Sequence, residues 1–253
     1  MENDYMHILI SNDDGIFAPG IKALAKAAVD AGHKVTIFAP DTQRSAASHS
    51  ISLSRPLKVL AVDYDWDIPA YSVDGSPADC VRVGVYLCRE KGEPADLVLS
   101  GVNKGANRGA AILYSGTVSA AMEGSLCGVP GVAVSLCHYT SEEFALSAAL
   151  GVKTAEWAVH HPLPRGEIYN LNVPCREEIL GIRAASVSHE FIGDPLYTLL
   201  EDGSYIVGNT PDVLPAKEDG DMELTRAGYA TLSVLTWNLQ AATPVPDISG
   251  LEG

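Results

Sequence analysis

The sequence predicts an α/β protein with a Rossmann-like, three-layer core around a parallel sheet and a β-rich C-terminal extension. Three observations predict it. Short apolar runs alternate with helix-periodic stretches over about the first 160 residues. Each apolar run stops at a polar or glycine-rich cluster, as buried parallel strands do. After about residue 165 the helical periodicity fades, and short strand-like segments separated by Gly, Pro and Asp take over. The Rossmann-like core is therefore placed at 1–160, and the β-rich extension, which completes the same domain, at 161–253.

The first run, 6–11 (MHILIS), reads as a buried strand. Pro19-Gly20 then opens the helix IKALAKAAVDAG, which stops at Gly32. Residues 34–39 (KVTIFA) read as the next strand and end at Pro40-Asp41, completing a βαβ unit. Residues 41–50 are small and polar, hence a loop. Short strands are expected near 51–53, 57–61 and 70–73, and a helix from Pro77 to about Leu87. Residues 95–100 (ADLVLS) read as a strand and 101–116 as a long Gly- and Asn-rich loop, of the kind compact domains keep for function. A helix of small residues is expected at 117–126, a strand at 131–136 and a helix at 142–159. In the extension, strands are expected at 168–172, 181–187, 204–208 and 229–236, with a short helix at 221–227 and a loose tail at 241–253.

The formal net charge of -15 disfavours polyanionic partners, so neither duplex nucleic acid nor anionic membrane is expected. A small anion needs local compensation from a cation, a helix N-terminus or backbone amides. No apolar stretch is long enough for a membrane span, and MENDYMHILI lacks the basic lead of a signal peptide, so a cytoplasmic location is expected. The five cysteines form no CxxC pair and read as free thiols.

In open parallel sheets ligands bind beyond the carboxyl ends of the strands, so the loops after the strands gather the candidate chemistry. Asp13 and Asp14 close the first strand. Adjacent carboxylates repel unless a cation lies between them or one is protonated, and a hard divalent ion suits them. Asp-Asp-Gly equally suits a turn that caps the next helix. Asn103 and Asn107 can supply an amide oxygen to a cation and an amide donor to a phosphate, or can simply shape a loop. Ser115-Gly116-Thr117 begins a helix, which makes it an anion site, a plain cap, or both. His49 lies four residues after Ser45 and is either near the metal or a loop residue without a role. His160-His161 is expected to cap a helix end. Walker, GxGxxG and GxSxG signatures are absent from the sequence.

Together, ILISNDDGIFAPGI, APDTQRSAASHSISLSRPL, YSVDGSPADCV, LVLSGVNKGAN and LYSGTVSAAMEGSLCGVPGVAVS resemble the SurE survival-protein family of 5'(3')-nucleotidases. The likeness is continuous over 6–136 and patchy to about 237, with weaker echoes in NLNVP and GYATLSVLT. It implies a phosphatase that hydrolyses nucleoside 5'- and 3'-monophosphates, with one divalent cation per subunit, Mg or Mn, and a homodimer or homotetramer. It implies metal ligation by Asp13, Asp14, Ser45 and Asn103, catalysis by Asp13 and Asp14, and phosphate contacts from Asn107, Ser115, Gly116 and Thr117. Departures from the family pattern lie at Arg108-Gly109-Ala110-Ala111, at Ala46, in 183–200 and at Gly220 before Asp221. The rival expectations are a nucleotide-sugar-dependent transferase and a non-catalytic nucleotide-binding protein.

Overall fold

The computed structural model describes residues 5–188, 195–209 and 218–240. The chain runs β1 (His7–Ser11), α1 (Pro19–Asp30), β2 (Lys34–Pro40), β3 (Val59–Val62), β4 (Ala70–Val73), α2 (Pro77–Glu90), β5 (Leu97–Lys104), α3 (Gly116–Leu126), β6 (Gly131–Leu136) and α4 (Ala145–Val159). It continues through β7 (Glu167–Val173), β8 (Ile182–Ala184), β9 (Pro195–Leu199), β10 (Tyr205–Asn209), α5 (Asp221–Ala227) and β11 (Ala230–Thr236). A nine-stranded sheet has the order β3-β4-β2-β1-β5-β6-β7-β11-β8. The six central strands, β4 to β7 in that order, pair in parallel, while β3 and β11 join their neighbours β4 and β7 antiparallel. β9 and β10 form a separate antiparallel hairpin.

The central strands bury both faces, which is why they read as continuous apolar runs rather than alternating ones. One face packs α1 and α4 against Ile8, Ile10, Leu97, Leu99 and Val134. The other packs α2 and α3 against Leu9, Phe38, Val98 and Ala133. Helix α2 starts from a capping box in which Ser76 and Asp79 satisfy each other's backbone amides, with Pro77 at its first position.

The steps β5→β6 and β6→β7 move the same way across the sheet, yet α3 and α4 lie on opposite faces. The two crossovers therefore have opposite hands. The α1, α2 and α3 crossovers agree with one another, so the α4 crossover is the exception to the usual right-handed rule.

Several expectations shift. Residues 51–53 form no strand, because the Ser52 amide and hydroxyl both donate to the Asp79 carboxylate instead of to a ladder. The stretch 101–116 is not one loop. After a register shift at Ser100/Asn103 the β5 strand resumes and pairs Asn103 with Ser135, and residues Gly109–Tyr114 form a 3-10 helix. The strand expected at 181–187 shrinks to β8, and β9 is a strand the sequence reading misses. Strand β7 lies inside the main sheet, so the chain beyond residue 160 completes the sheet that the core begins. The tail at 241–253 and His189 lie outside the described residues.

Candidate metal and phosphate site

The site sits where the topology reverses. From β1 the chain leaves toward β2 over one face, and from β5 it leaves toward β6 over the other, so a crevice opens between the carboxyl ends of β1 and β5. A cavity of about 410 Å³ occupies it, lined by Asp13, Asp14, Gln43, Ser45, Ala46, Asn103, Lys104, Gly105, Ala106, Asn107, Ala111, Tyr114, Ser115 and Tyr139. Six of the eight residues singled out from the sequence line this one cavity. Gly116 and Thr117 lie behind it.

Asp13 is buried because α3 packs directly on it. A methyl at Gly116 would come 2.7 Å from Asp13 Cβ, so only glycine lets the helix start this close. The Thr117 hydroxyl donates to Asp13 Oδ1 at 2.5 Å. Thr117 therefore fixes Asp13, a role the sequence reading did not give it. The approach is possible because α3 is small and buried along almost its whole length: Gly124 rests on Val98, and Ala121 sits over Gly131. Asn12 completes the turn, donating to Gly15 O and accepting from Gly15 N. Asp14 lies nearer solvent and accepts from the Lys104 amide at 3.3 Å.

Burial pushes the Asp13 carboxyl up to about 6; the Thr117 hydroxyl offsets part of this, and the charge of Asp14 adds to it. Burial also raises Asp14, against the Lys104 amide and charge. Among the described residues no cationic side chain settles on either acid: Lys104 Nζ pairs with Glu142, and Arg44 with Asp41. Two raised, adjacent carboxylates that no salt bridge neutralises fit a hard dication. Among the described residues no three His, Cys, Asp or Glu side chains gather to hold a metal, so a cation bound here would have to draw its further ligands from neutral oxygens. Asn103 supports this. Its Nδ2 donates to Gly105 O at 2.8 Å, which leaves its oxygen for a cation.

Ser45 comes from the other wall. The loop 41–52 is held by polar ties: the Arg44 amide to Asp13 O, the Ser48 amide to Tyr114 O and its hydroxyl to Leu113 O, and Gln43 to Ser45 Oγ. His49 Nε2 meets Glu123 Oε2 at 2.9 Å, and Arg82 Nη1 meets Oε1 at 2.7 Å. Burial raises the Glu123 carboxyl, but His49 and Arg82 outweigh it and hold it below its ordinary value. His49 thus clamps the loop to α3 and does not line the cavity.

Ser115 is the N-cap of α3, its hydroxyl accepting from the Val118 amide while it lines the cavity. The Asn107 backbone amide is not free for a ligand, since it donates to Asn172 Oδ1 at 2.9 Å. Its side-chain Nδ2 spends one hydrogen on Ser135 Oγ at 2.8 Å and keeps the other. His161 stacks on Trp157 and bonds its carbonyl at the end of α4. Sequence reasoning passed over Lys104, whose amide reaches Asp14, and over His138 and Tyr139. The His138 Nδ1 accepts from the amides of Thr140 and Ser141 and so shapes the turn that carries Tyr139.

A model of the family described as Survival protein SurE matches residues 8–194. Two relatives named 5'-nucleotidase SurE align along nearly their whole length. The one from a Nostoc species is 38% identical over 96% of this chain and 97% of its own. The one from Clostridium beijerinckii is 40% identical over 96% and 98%. With a Synechococcus relative of the same name the match is local, 45% identical over 70% of this chain and 66% of that one. The crystal structure of the SurE protein from Aquifex aeolicus superposes with a TM-score of 0.79 at 34% identity, covering 92% of this chain and 94% of that one.

Proposed function

The chain belongs to the SurE family, and on that premise we propose that it is a divalent-cation-dependent phosphatase hydrolysing nucleoside 5'- and 3'-monophosphates to nucleoside and phosphate. The observation that carries the reading is the unneutralised carboxylate pair of Asp13 and Asp14 beside the start of α3.

Asp13, Asp14, Ser45 and the Asn103 oxygen hold one Mg²⁺ or Mn²⁺. When bound, the cation supplies Lewis acidity toward the phosphoryl group. Ser115 and the remaining Asn107 Nδ2 hydrogen bind non-bridging phosphate oxygens. The first turn of α3 adds the positive end of its dipole, with the Gly116 and Thr117 amides behind Asp13. The Asp14 oxygen not engaged by the Lys104 amide takes the proton from an attacking water as the ester P–O bond breaks, and the departing nucleoside oxygen is protonated by solvent through the open cavity. Direct water attack is favoured over an aspartyl-phosphate, because Thr117 already donates to Asp13 Oδ1 and weakens it as a nucleophile. The unit works as a homodimer or homotetramer in the cytoplasm. Among the described residues no helix is long and apolar enough to cross a membrane.

The test is phosphate release from AMP without any acceptor. Chelator-stripped protein should be inactive and regain turnover with Mg²⁺ or Mn²⁺. Activity that survives stripping, or that requires an acceptor alcohol, contradicts the reading.

A further inference from the structure

The cavity has two chemically different ends. Its order follows from contacts: the start of α3 touches Asp13, Asp14 follows Asp13 and accepts from the Lys104 amide, and Gly105, the next residue, lies against the ring of Tyr139. A methyl on Gly105 would come 2.6 Å from Tyr139 Cε1. The anion end is thus at α3, where Tyr114 also lines the wall just before Ser115, and the more exposed ring of Tyr139 stands at the other end, with the carboxylates between them.

Tyr139 is 76% exposed although it lines the cavity. An aromatic ring left in water beside an anion site has unspent stacking surface. Its placement is built: the glycine at 105 makes room for the ring, and His138 ties the turn beneath it. Ala46, Ala106 and Ala111 leave further lining of the cavity without polar side chains.

We propose that Tyr139 is the platform on which the nucleobase of the substrate stacks, so that the site selects aromatic nucleosides by ring contact and discriminates little among bases. This rests on the phosphatase reading above and adds the residue that recognises the leaving group. Stacking is tolerant of base identity because every base offers a π-face.

The experiment compares AMP, CMP and ribose 5-phosphate on wild type, Tyr139→Ala and Tyr139→Phe, with a thermal melt of each variant. Tyr139→Ala should lower kcat/KM for both nucleotides by about 5- to 50-fold, through KM. Ribose 5-phosphate, which has no base, should change less than about twofold, and Tyr139→Phe should retain nucleotide turnover. Equal losses on all three esters, or no loss on the nucleotides, overturn the proposal. Wild type inactive on every ester refutes the phosphatase reading. Calorimetric binding of adenosine then decides the Tyr139 claim alone: weaker binding in Tyr139→Ala supports it and unchanged binding refutes it.

Discussion

The two walls of the cavity are built differently. Asp13 stands on the core: β1 is buried behind it, and α3 presses on it through Gly116 and Thr117. Ser45 stands on the loop 41–52, which is largely exposed and tied down by polar contacts rather than by apolar packing, such as Ser48 to Leu113 and His49 to Glu123. A ligand on the first wall cannot relax without moving a helix. A ligand on the second can move at the cost of about 0.5–1.5 kcal/mol per exposed hydrogen bond such as Ser48 to Leu113, and of more where His49 leaves the buried Glu123. On the proposed reading, the core wall would set the cation site and the loop wall would trim it.

The largest effect should come from Asp13→Asn, which should lower AMP turnover at least about 10³-fold. The same change should stabilise the metal-free protein at neutral pH. The folded-state value near 6 lies above the ordinary 3.8, so the fold favours the protonated acid. That stability is complete below about 3.8 and disappears as pH rises to 6. At pH 7.5 the buried carboxylate costs up to ~3 kcal/mol at about 1.4 kcal/mol per unit, which the asparagine avoids. Melts of the chelated proteins should show the variant ahead at pH 7.5 and level at pH 4. A variant less stable at both would break the claim that Asp13 is strained without a cation.

Gly116→Ala comes next. Its methyl meets Asp13 Cβ at 2.7 Å and Pro77 Cγ at 2.9 Å. We expect about 1–3 kcal/mol of destabilisation and a roughly 10- to 100-fold weaker Mn²⁺ affinity in titration calorimetry. His49→Ala should be the mildest. It removes one of the two basic partners of Glu123 and frees the loop that carries Ser45, so Mn²⁺ affinity should fall by less than about tenfold with kcat retained at saturating cation. A His49→Ala loss as large as that of Gly116→Ala would show the loop wall to be an equal partner.

Much of the core wall was legible. MHILIS is followed by Asn12 and two aspartates, and a buried strand must release its chain at the sheet's carboxyl edge, so Asp13 and Asp14 had to emerge together. The small residues of 117–126 announced a helix, but not that Gly116 would rest on Asp13, which depends on how far α3 sinks into the sheet. Gly101–Lys104 carried no strand pattern, because the register shift removes the periodicity by which a strand is recognised. The run ISL at 51–53 looked like a strand, yet a single carboxylate, Asp79, captured the amide and hydroxyl of its central Ser52. Tyr139 is a lone aromatic in a polar loop, and only the fold of the β6–α4 connection brings it beside Gly105. The hand of the α4 crossover left no trace in the sequence at all.

The most direct test of the central claim is Mn²⁺ titration of chelated wild type and Asp13→Asn at pH 7.5, followed by calorimetry. The account predicts one site per chain in the wild type and none in the variant, with both chains folded. Equal binding by the two would contradict it.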